Sequence, residues 1–236
     1  MRIQQRLKLT AVSTALLAFL LSIASAQKQA ERFDLVVRED FFAGLAGNAE
    51  ALKRGMAKCE EKLKAEPDNA EALVWHGAGL QFQSVSYFQK NEMQKGIELY
   101  QQGETEMDRA VQLQPKSISI LVPRAAHYVV FSRYVPDKEQ QRTMLTKVIH
   151  DYEEVYRQQQ PHFDKLSEHA RGELLLGLAE AYLRSGGEEN RGKANELLKL
   201  AQQEKSYVKE ATTWLQAAPE AKPSTFFHTC VGCHAK

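Results

Sequence analysis

The sequence predicts an all-α protein built of antiparallel helix pairs. The chain of 236 residues has 13 Gly and 7 Pro, too few for a protein made of many tight turns. No stretch shows the sustained alternation of apolar and polar residues that a half-buried strand requires. Apolar residues recur instead at helical spacing between Gln27 and Ala218. The composition, 43% hydrophobic and 26% charged, is that of an ordinary globular protein.

Start and stop signals divide this region into helices of about 15 to 23 residues. Oxygen-bearing residues three positions before Glu or Gln predict helix starts at Asp68, Asn91 and Asp137, because such pairs satisfy otherwise unpaired N–H groups. Proline marks helix ends, because it clashes with a continuing helix. The boundary prolines are Pro67, Pro115, Pro136 and Pro161. A last helix is expected at about 206–217.

One spacing recurs in three of these helices. A large apolar residue is followed four positions later by a small residue and three positions after that by a large one, so all three share a face. The small residue allows a neighbouring helix to approach closely. The three sets are Leu73, Gly77 and Leu80; Leu121, Ala125 and Tyr128; and Leu175, Ala179 and Tyr182. The helices that follow the first and third sets carry Gly103, Met107 and Ala110, and Ala194, Leu198 and Ala201.

This pattern resembles the tetratricopeptide repeat family over about residues 48–203. Two features depart from the family. The segment between Leu80 and Gly103 is about fourteen residues too long, and the helix expected over 138–159 fits the pattern poorly. An irregular antiparallel helical bundle is the alternative. The resemblance implies a superhelical array of antiparallel helix pairs whose concave face binds a peptide or a partner protein.

The first 26 residues have the three parts of a secretory signal peptide. Basic Arg2, Arg6 and Lys8 precede an apolar run over 11–24, and Ala24-Ser25-Ala26 forms a small-x-small cleavage site. The run is shorter than the roughly 20 residues that a membrane-spanning helix needs. We expect cleavage after Ala26 and an exported protein, periplasmic or otherwise, with no stable membrane span. An uncleaved N-terminal anchor is the alternative.

Cleavage there defines three segments: the signal peptide at 1–26, a helical domain at 27–217, and a linker and tail at 218–236. The formal net charge is +1, and removal of the three basic residues of the leader leaves about −2. A weakly acidic chain lacks the basic stripe that neutralises phosphates, so no nucleic-acid partner is expected.

The tail contains Cys230-Val231-Gly232-Cys233-His234. Cys-x-x-Cys-His is the attachment sequence of c-type haem, and chance would place it in this chain with a probability on the order of one in a thousand. Two thiols at this spacing add across the two vinyl groups of one porphyrin, and the adjacent His reaches its iron. We therefore expect one covalent haem c, with Cys230 and Cys233 as thioether attachment points and His234 as the proximal iron ligand.

This stretch resembles the haem-binding segment of c-type cytochromes. The resemblance implies that an aromatic residue shortly before the first Cys, Phe226 or Phe227, packs against the porphyrin. Haem of this kind is attached outside the cytoplasm, in agreement with the leader. Small cytochromes carry the motif near the start of their domain, whereas only two residues follow it here. The preceding helices, another subunit or a partner must therefore enclose the haem, or it stays unusually exposed.

The second iron ligand stays open at the level of sequence. His76 and Met107 lie on apolar helix faces and are expected to be core residues, and His228 is too close to Cys230 to reach the iron of the same haem. It could serve a second haem in a stacked dimer. The candidates are Met56, Met93, Met107, Met144, His76, His127, His150, His162, His169 and His228.

Other chemistry for the tail is less favoured. A redox disulfide would need a strand before the Cys pair and a useful helix after it, and a zinc site would need a further ligand at zinc-like spacing. The leading hypothesis is electron carriage, with a redox partner protein or peptide docked on the array. The alternatives are a scaffold whose haem senses a gas or the redox state, and a haem peroxidase. No catalytic constellation supports an enzyme.

Overall fold

The computed structural model describes residues 32–218 and 220–221 and is all-α in that part. The expected leader and the motif at 230–234 lie outside the described residues. A short 3₁₀ helix, Gln160–Lys165, follows the sixth α-helix. The α-helices are α1 (Phe33–Leu45), α2 (Ala49–Ala65), α3 (Ala70–Gln89), α4 (Met93–Leu113), α5 (Ile118–Phe131), α6 (Lys138–Gln159), α7 (Glu168–Ser185), α8 (Glu188–Ala201) and α9 (Val208–Gln216).

Consecutive helices pack as antiparallel pairs, as the sequence predicts. In the described part of the chain the pairs are α1/α2, α3/α4, α5/α6 and α7/α8, and α9 packs against α8. The first pair shows the direction: Arg54 binds Asp40, and Lys58, one turn later, binds the backbone oxygen of Val36, one turn earlier. The first helices of successive pairs also contact one another, α1 with α3, α3 with α5 and α5 with α7. These contacts form the array of helix pairs that the spacing predicted.

The segment that is too long for the repeat pattern lengthens both helices of the second pair. α3 has 20 residues and α4 has 21, and residues 90–92 join them. Phe88 and Gly96 face each other across the hairpin, and a Cβ on Gly96 would collide with the Phe88 ring. The extra residues are therefore absorbed as regular helix rather than as a loop.

Small residues bring the helices together where the recurring spacing predicts. A Cβ added to Gly77 of α3 would lie 2.6 Å from the backbone oxygen of Gly103 in α4. The equivalent residues of the other first helices, Ala125 and Ala179, are fully buried. Close approach of the backbones leaves no space for a larger side chain at these positions.

Helices begin within two residues of all three predicted starts, but the predicted capping residue is right in one case of three. The Asp137 carboxylate accepts a hydrogen bond of 2.7 Å from the Gln140 N–H, as expected. At α3 the capping residue is Asn69 rather than Asp68, and it accepts from the Ala72 N–H. Asn91 is not the cap of α4, which is Glu92, because Asn91 has φ +63° in the turn after α3. Asn tolerates the left-handed conformation, so it serves the turn and not the next helix.

In the part of the chain with described structure, no helix has both the length and the apolar character needed to span a bilayer.

Candidate functional site

The predicted haem-attachment residues Cys230, Cys233 and His234 lie outside the described residues, as do the aromatic candidates Phe226 and Phe227. A haem iron accepts side chains with sulfur or nitrogen donors as ligands, and the described part of the chain contains both kinds. Within 32–218 and 220–221, no three or more His, Cys, Asp or Glu residues are grouped to hold a metal ion.

Met93 is the accessible sulfur donor among the methionines of the described chain. Met56, Met107 and Met144 are 4%, 0% and 1% exposed, so they belong to the core. The expectation that Met107 is a core residue is confirmed. Met93 is 50% exposed at the first position of α4. Burial alone thus reduces the methionine candidates in the described range to one.

His76 is a packed side chain that joins the two helices of the second pair. Its residue is 8% exposed, and its Nδ1 lies 2.6 Å from a carboxylate oxygen of Glu106 in α4. The expectation that His76 belongs to the core is confirmed. The other ring nitrogen, Nε2, lies 3.9 Å from a carboxylate oxygen of Glu60.

His127 of α5 is held by Gln81 of α3. The Gln81 Nε2 donates to the backbone oxygen of Tyr100, so its Oε1 is the acceptor for the His127 Nε2–H at 2.8 Å. The imidazole also stacks on Phe131, with ring centroids 5.2 Å apart. Burial lowers the pKa of His127 to about 4, so the ring is neutral at pH 7.

The remaining histidines are exposed and lie on α6 and around its connection to α7. The His150 side chain is 66% exposed, with Nδ1 3.0 Å from the Asp151 carboxylate. The His169 side chain is 47% exposed, and its Nδ1 lies 3.2 Å from the Tyr207 hydroxyl. His162 is exposed in the 3₁₀ helix. His228 lies outside the described residues.

The accessible donors therefore fall at different places on the array. Met93 lies at the end where α3 turns into α4, whereas His162 and His169 lie at the opposite end, where α6 connects to α7. Sulfur and imidazole nitrogen are the donors that c-type haem iron takes as axial ligands. Side chains of this chemistry therefore reach the surface of the described array at both of its ends.

A buried ion network holds α4, α5 and α6 in fixed positions. Arg124 donates two hydrogen bonds of 2.7 Å to Asp151 and one of 2.8 Å to Asp108. Lys147 binds Asp108 and Glu104, each at 2.8 Å. Burial by itself would lower the pKa of Arg124, but the hydrogen bonds and charges of the surrounding carboxylates outweigh it and raise that pKa. Arg124 is therefore a permanent cation in this cluster.

A second network joins α5 to α7 through Glu180. Arg133 donates to both carboxylate oxygens of Glu180, and Arg184 donates to Glu180, Ser132 and the backbone oxygen of Val129. Burial and the charge of Arg133 lower the pKa of Arg184. The sequence reasoning missed both networks. A signal was present in α7, where Glu180 interrupts an otherwise apolar run between Leu174 and Leu183.

Cys59 is a buried thiol on α2, as predicted. It is 0% exposed, and burial together with the nearby carboxylates of Glu106 and Glu60 raises its pKa to about 12. A thiol reacts as its thiolate, so Cys59 is inert in the folded protein. Comparisons with protein-family models, with curated proteins and with solved structures find no match for this chain.

Proposed function

We propose that this chain is an exported c-type cytochrome whose C-terminal tail carries one covalent haem c for electron transfer. The single observation that carries this proposal is the string Cys230-Val231-Gly232-Cys233-His234. The secretory pattern of the first 26 residues supports it, because haem is attached in this way outside the cytoplasm. The helical array is the scaffold that docks a redox partner protein or peptide.

The residues of the tail have separate roles. Each thiol of Cys230 and Cys233 adds across one vinyl group, so that a C–S bond forms, the thiol hydrogen passes to the neighbouring carbon, and no oxidant or reductant is consumed. His234 ligates the iron through a ring nitrogen. The bound haem would supply one-electron transfer.

The described structure supports this assignment in two ways. Cys59, the third cysteine, is buried and has a raised pKa, so it does not compete for the porphyrin. Met93 and the exposed histidines on α6 and near its connection to α7 offer second ligands from rigid helices. Helices fixed by buried networks such as that of Arg124 hold such a ligand in one position.

The test is covalent haem retention in protein produced together with haem-attachment machinery. The wild type is expected to keep its haem through denaturing electrophoresis. A Cys230→Ser Cys233→Ser variant is expected to lose it completely, because no thiol remains to form the bond. Cys59→Ala is the matched control and is expected to keep all of the haem. Cys59 is buried in α2 and lies far from the tail in the sequence.

Two results would overturn the proposal: haem held covalently by the double variant, or a mass spectrum of the wild type with both tail sulfurs unmodified. The visible and near-infrared spectra of the same samples then separate the alternatives. A six-coordinate iron with Met or His signatures is expected of an electron carrier. A five-coordinate iron would favour a sensor or a peroxidase, because both need an open position.

A further inference from the structure

The methionines of this chain differ sharply in exposure. Of the five, Met1 belongs to the expected leader, and residues 27–31, 219 and 222–236 contain no methionine. Three of the other four lie in the core: Met56, Met107 and Met144 are 4%, 0% and 1% exposed. Met93 is 50% exposed. An oxidant dissolved in water therefore reaches the Met93 thioether far more readily than the other three.

Met93 lies at a helix start where an added oxygen atom meets water. It is the first residue of α4, and residues 89–95 are all exposed. Glu92, the residue before it, makes no side-chain capping hydrogen bond. Among the described residues, the apolar side chains that are partly buried against the core do not include Met93. A polar sulfoxide at this position would therefore disturb neither a helix cap nor a packed contact.

The buried methionines lie between closely packed helices. A Cβ added to Gly79 of α3 would collide with the Met56 sulfur, and one added to Gly77 would lie 2.9 Å from the Met107 Cγ. Protein interiors packed at this density leave no space for an additional oxygen atom. Oxidation also turns a flexible apolar side chain into a polar one, which disrupts a core. Core packing thus shields these sulfur atoms and makes their oxidation destabilising.

The thiol of the described chain does not compete for an oxidant. Cys59 is 0% exposed, and burial raises its pKa to about 12. Oxidation of a cysteine starts from an accessible thiolate, which Cys59 does not offer in the folded protein. The tail thiols of Cys230 and Cys233 can be removed by substitution. The first oxygen atom taken up by such a chain is therefore expected on Met93.

We propose that Met93 is a reversible oxidation site, at which a hydroperoxide converts the thioether into a sulfoxide while the array stays folded. The sulfur lone pair attacks one peroxide oxygen, so that an S–O bond forms and the O–O bond breaks. The proton of the attacked hydroxyl group passes to the departing oxygen, which leaves as water or an alcohol. The sulfur is oxidised and the peroxide is reduced. Methionine sulfoxide reductases reverse the change, with one enzyme for each epimer.

Hydrogen peroxide added to the full mature chain tests this site. The Cys230→Ser Cys233→Ser background is used first, because no tail thiol then takes up oxygen and the result does not depend on haem. The intact mass is expected to rise by one oxygen atom, and peptide mapping is expected to place that atom on Met93. The three buried methionines are expected to react at least about tenfold more slowly, because they react only when the core opens. Met93→Leu is expected to abolish the first gain of oxygen, whereas the matched control Met144→Leu keeps it.

The oxidised protein is expected to keep its helical circular dichroism and its urea midpoint, and the two reductases together are expected to remove the oxygen. The proposal is wrong if the buried methionines react as fast as Met93, if the first gain of oxygen persists in Met93→Leu, or if helix is lost with the first oxygen.

The haem-loaded wild type then separates accessibility of Met93 from ligation of iron. Equal reactivity of Met93 in the wild type and in the double variant supports the proposal, because the thioether is then free in both. Protection of Met93 in the wild type alone assigns its sulfur to the haem iron and overturns oxidation at this site in the haem-loaded protein.

Discussion

Some polar side chains of this protein are held by partners from other helices, and the partly buried His127 shows the consequence for protonation. Gln81 accepts the Nε2–H of His127, and Phe131 covers one face of its ring. The imidazole is thereby removed from water without gaining a carboxylate, unlike that of His76, which meets Glu106 at 2.6 Å. The lowered pKa of His127, about 4, follows from this burial.

The pH dependence of stability is the prediction at this scale. The unfolded chain binds a proton at His127 with a pKa of about 6.5, whereas the folded protein does so at about 4. Because the unfolded state binds more protons in this window, stability is fully present above pH 6.5 and is lost as the pH falls towards 4. Between pH 7 and pH 5 the loss from this residue is about 2 kcal/mol.

Urea unfolding of the wild type and of His127→Gln at pH 7 and pH 5 measures this loss of stability. The Gln amide keeps a donor for Gln81, and the variant is expected to lose about 2 kcal/mol less than the wild type on acidification. His150→Gln is the control, because the His150 side chain is 66% exposed. An equal loss in the wild type and in His127→Gln would show that His127 is not held neutral.

The helices themselves are specified mostly by local sequence, and their contacts are not. The helix predicted at 138–159 is α6, Lys138–Gln159, and the turn at Gly186-Gly187 separates α7 from α8. Periodicity and turn residues such as glycine suffice for these boundaries, although Pro123 lies inside α5 and marks no boundary. The pairing of Arg133 with Glu180 joins residues 47 positions apart, and no local pattern encodes it. The accessible donors for a haem iron could likewise be selected only after burial was known.

Substitution of Gly77 tests the backbone contact that sets the spacing between α3 and α4. A Cβ there would meet the backbone oxygen of Gly103 at 2.6 Å, and backbone cannot move aside as a flexible side chain does. We expect Gly77→Ala to destabilise the protein by about 1–3 kcal/mol, although Ala is the better helix former. Thermal or urea unfolding measures the change.

Gly192 of α8 is the matched control for that substitution. A Cβ at Gly192 would meet no atom within 4 Å, and the residue lies inside the helix. Gly192→Ala is therefore expected to stabilise the protein by about 0.5–1 kcal/mol. Both variants change helix propensity by the same amount, but their expected effects on stability have opposite signs. The difference between them measures the cost of the clash between α3 and α4. A stabilising Gly77→Ala would contradict the close approach of the two backbones.

At the scale of the whole molecule, the array is a row of helix pairs in which each pair contacts mainly its neighbours. Such a row opens in parts, and the pairs at its ends open at lower free energy than those in the middle. In the described chain α1/α2 is at one end and has a neighbour on one side, while α5/α6 lies between two pairs. The buried networks of Arg124 and Glu180 increase this difference in the free energy of opening, because both networks lie in the middle and later pairs.

Thiol labelling measures this order of opening. In the Cys230→Ser Cys233→Ser background, Cys59 of α2 is the remaining thiol, and its burial means that it reacts only when its surroundings open. We expect its labelling to show a weaker dependence on urea than the loss of total helix, because opening of the end pair exposes less surface. For comparison, Val148→Cys with Cys59→Ala places the thiol at a fully buried position of α6. That thiol is expected to react only on global unfolding, with the full urea dependence. If both thiols show the urea dependence of global unfolding, the array unfolds as one cooperative unit and not pair by pair.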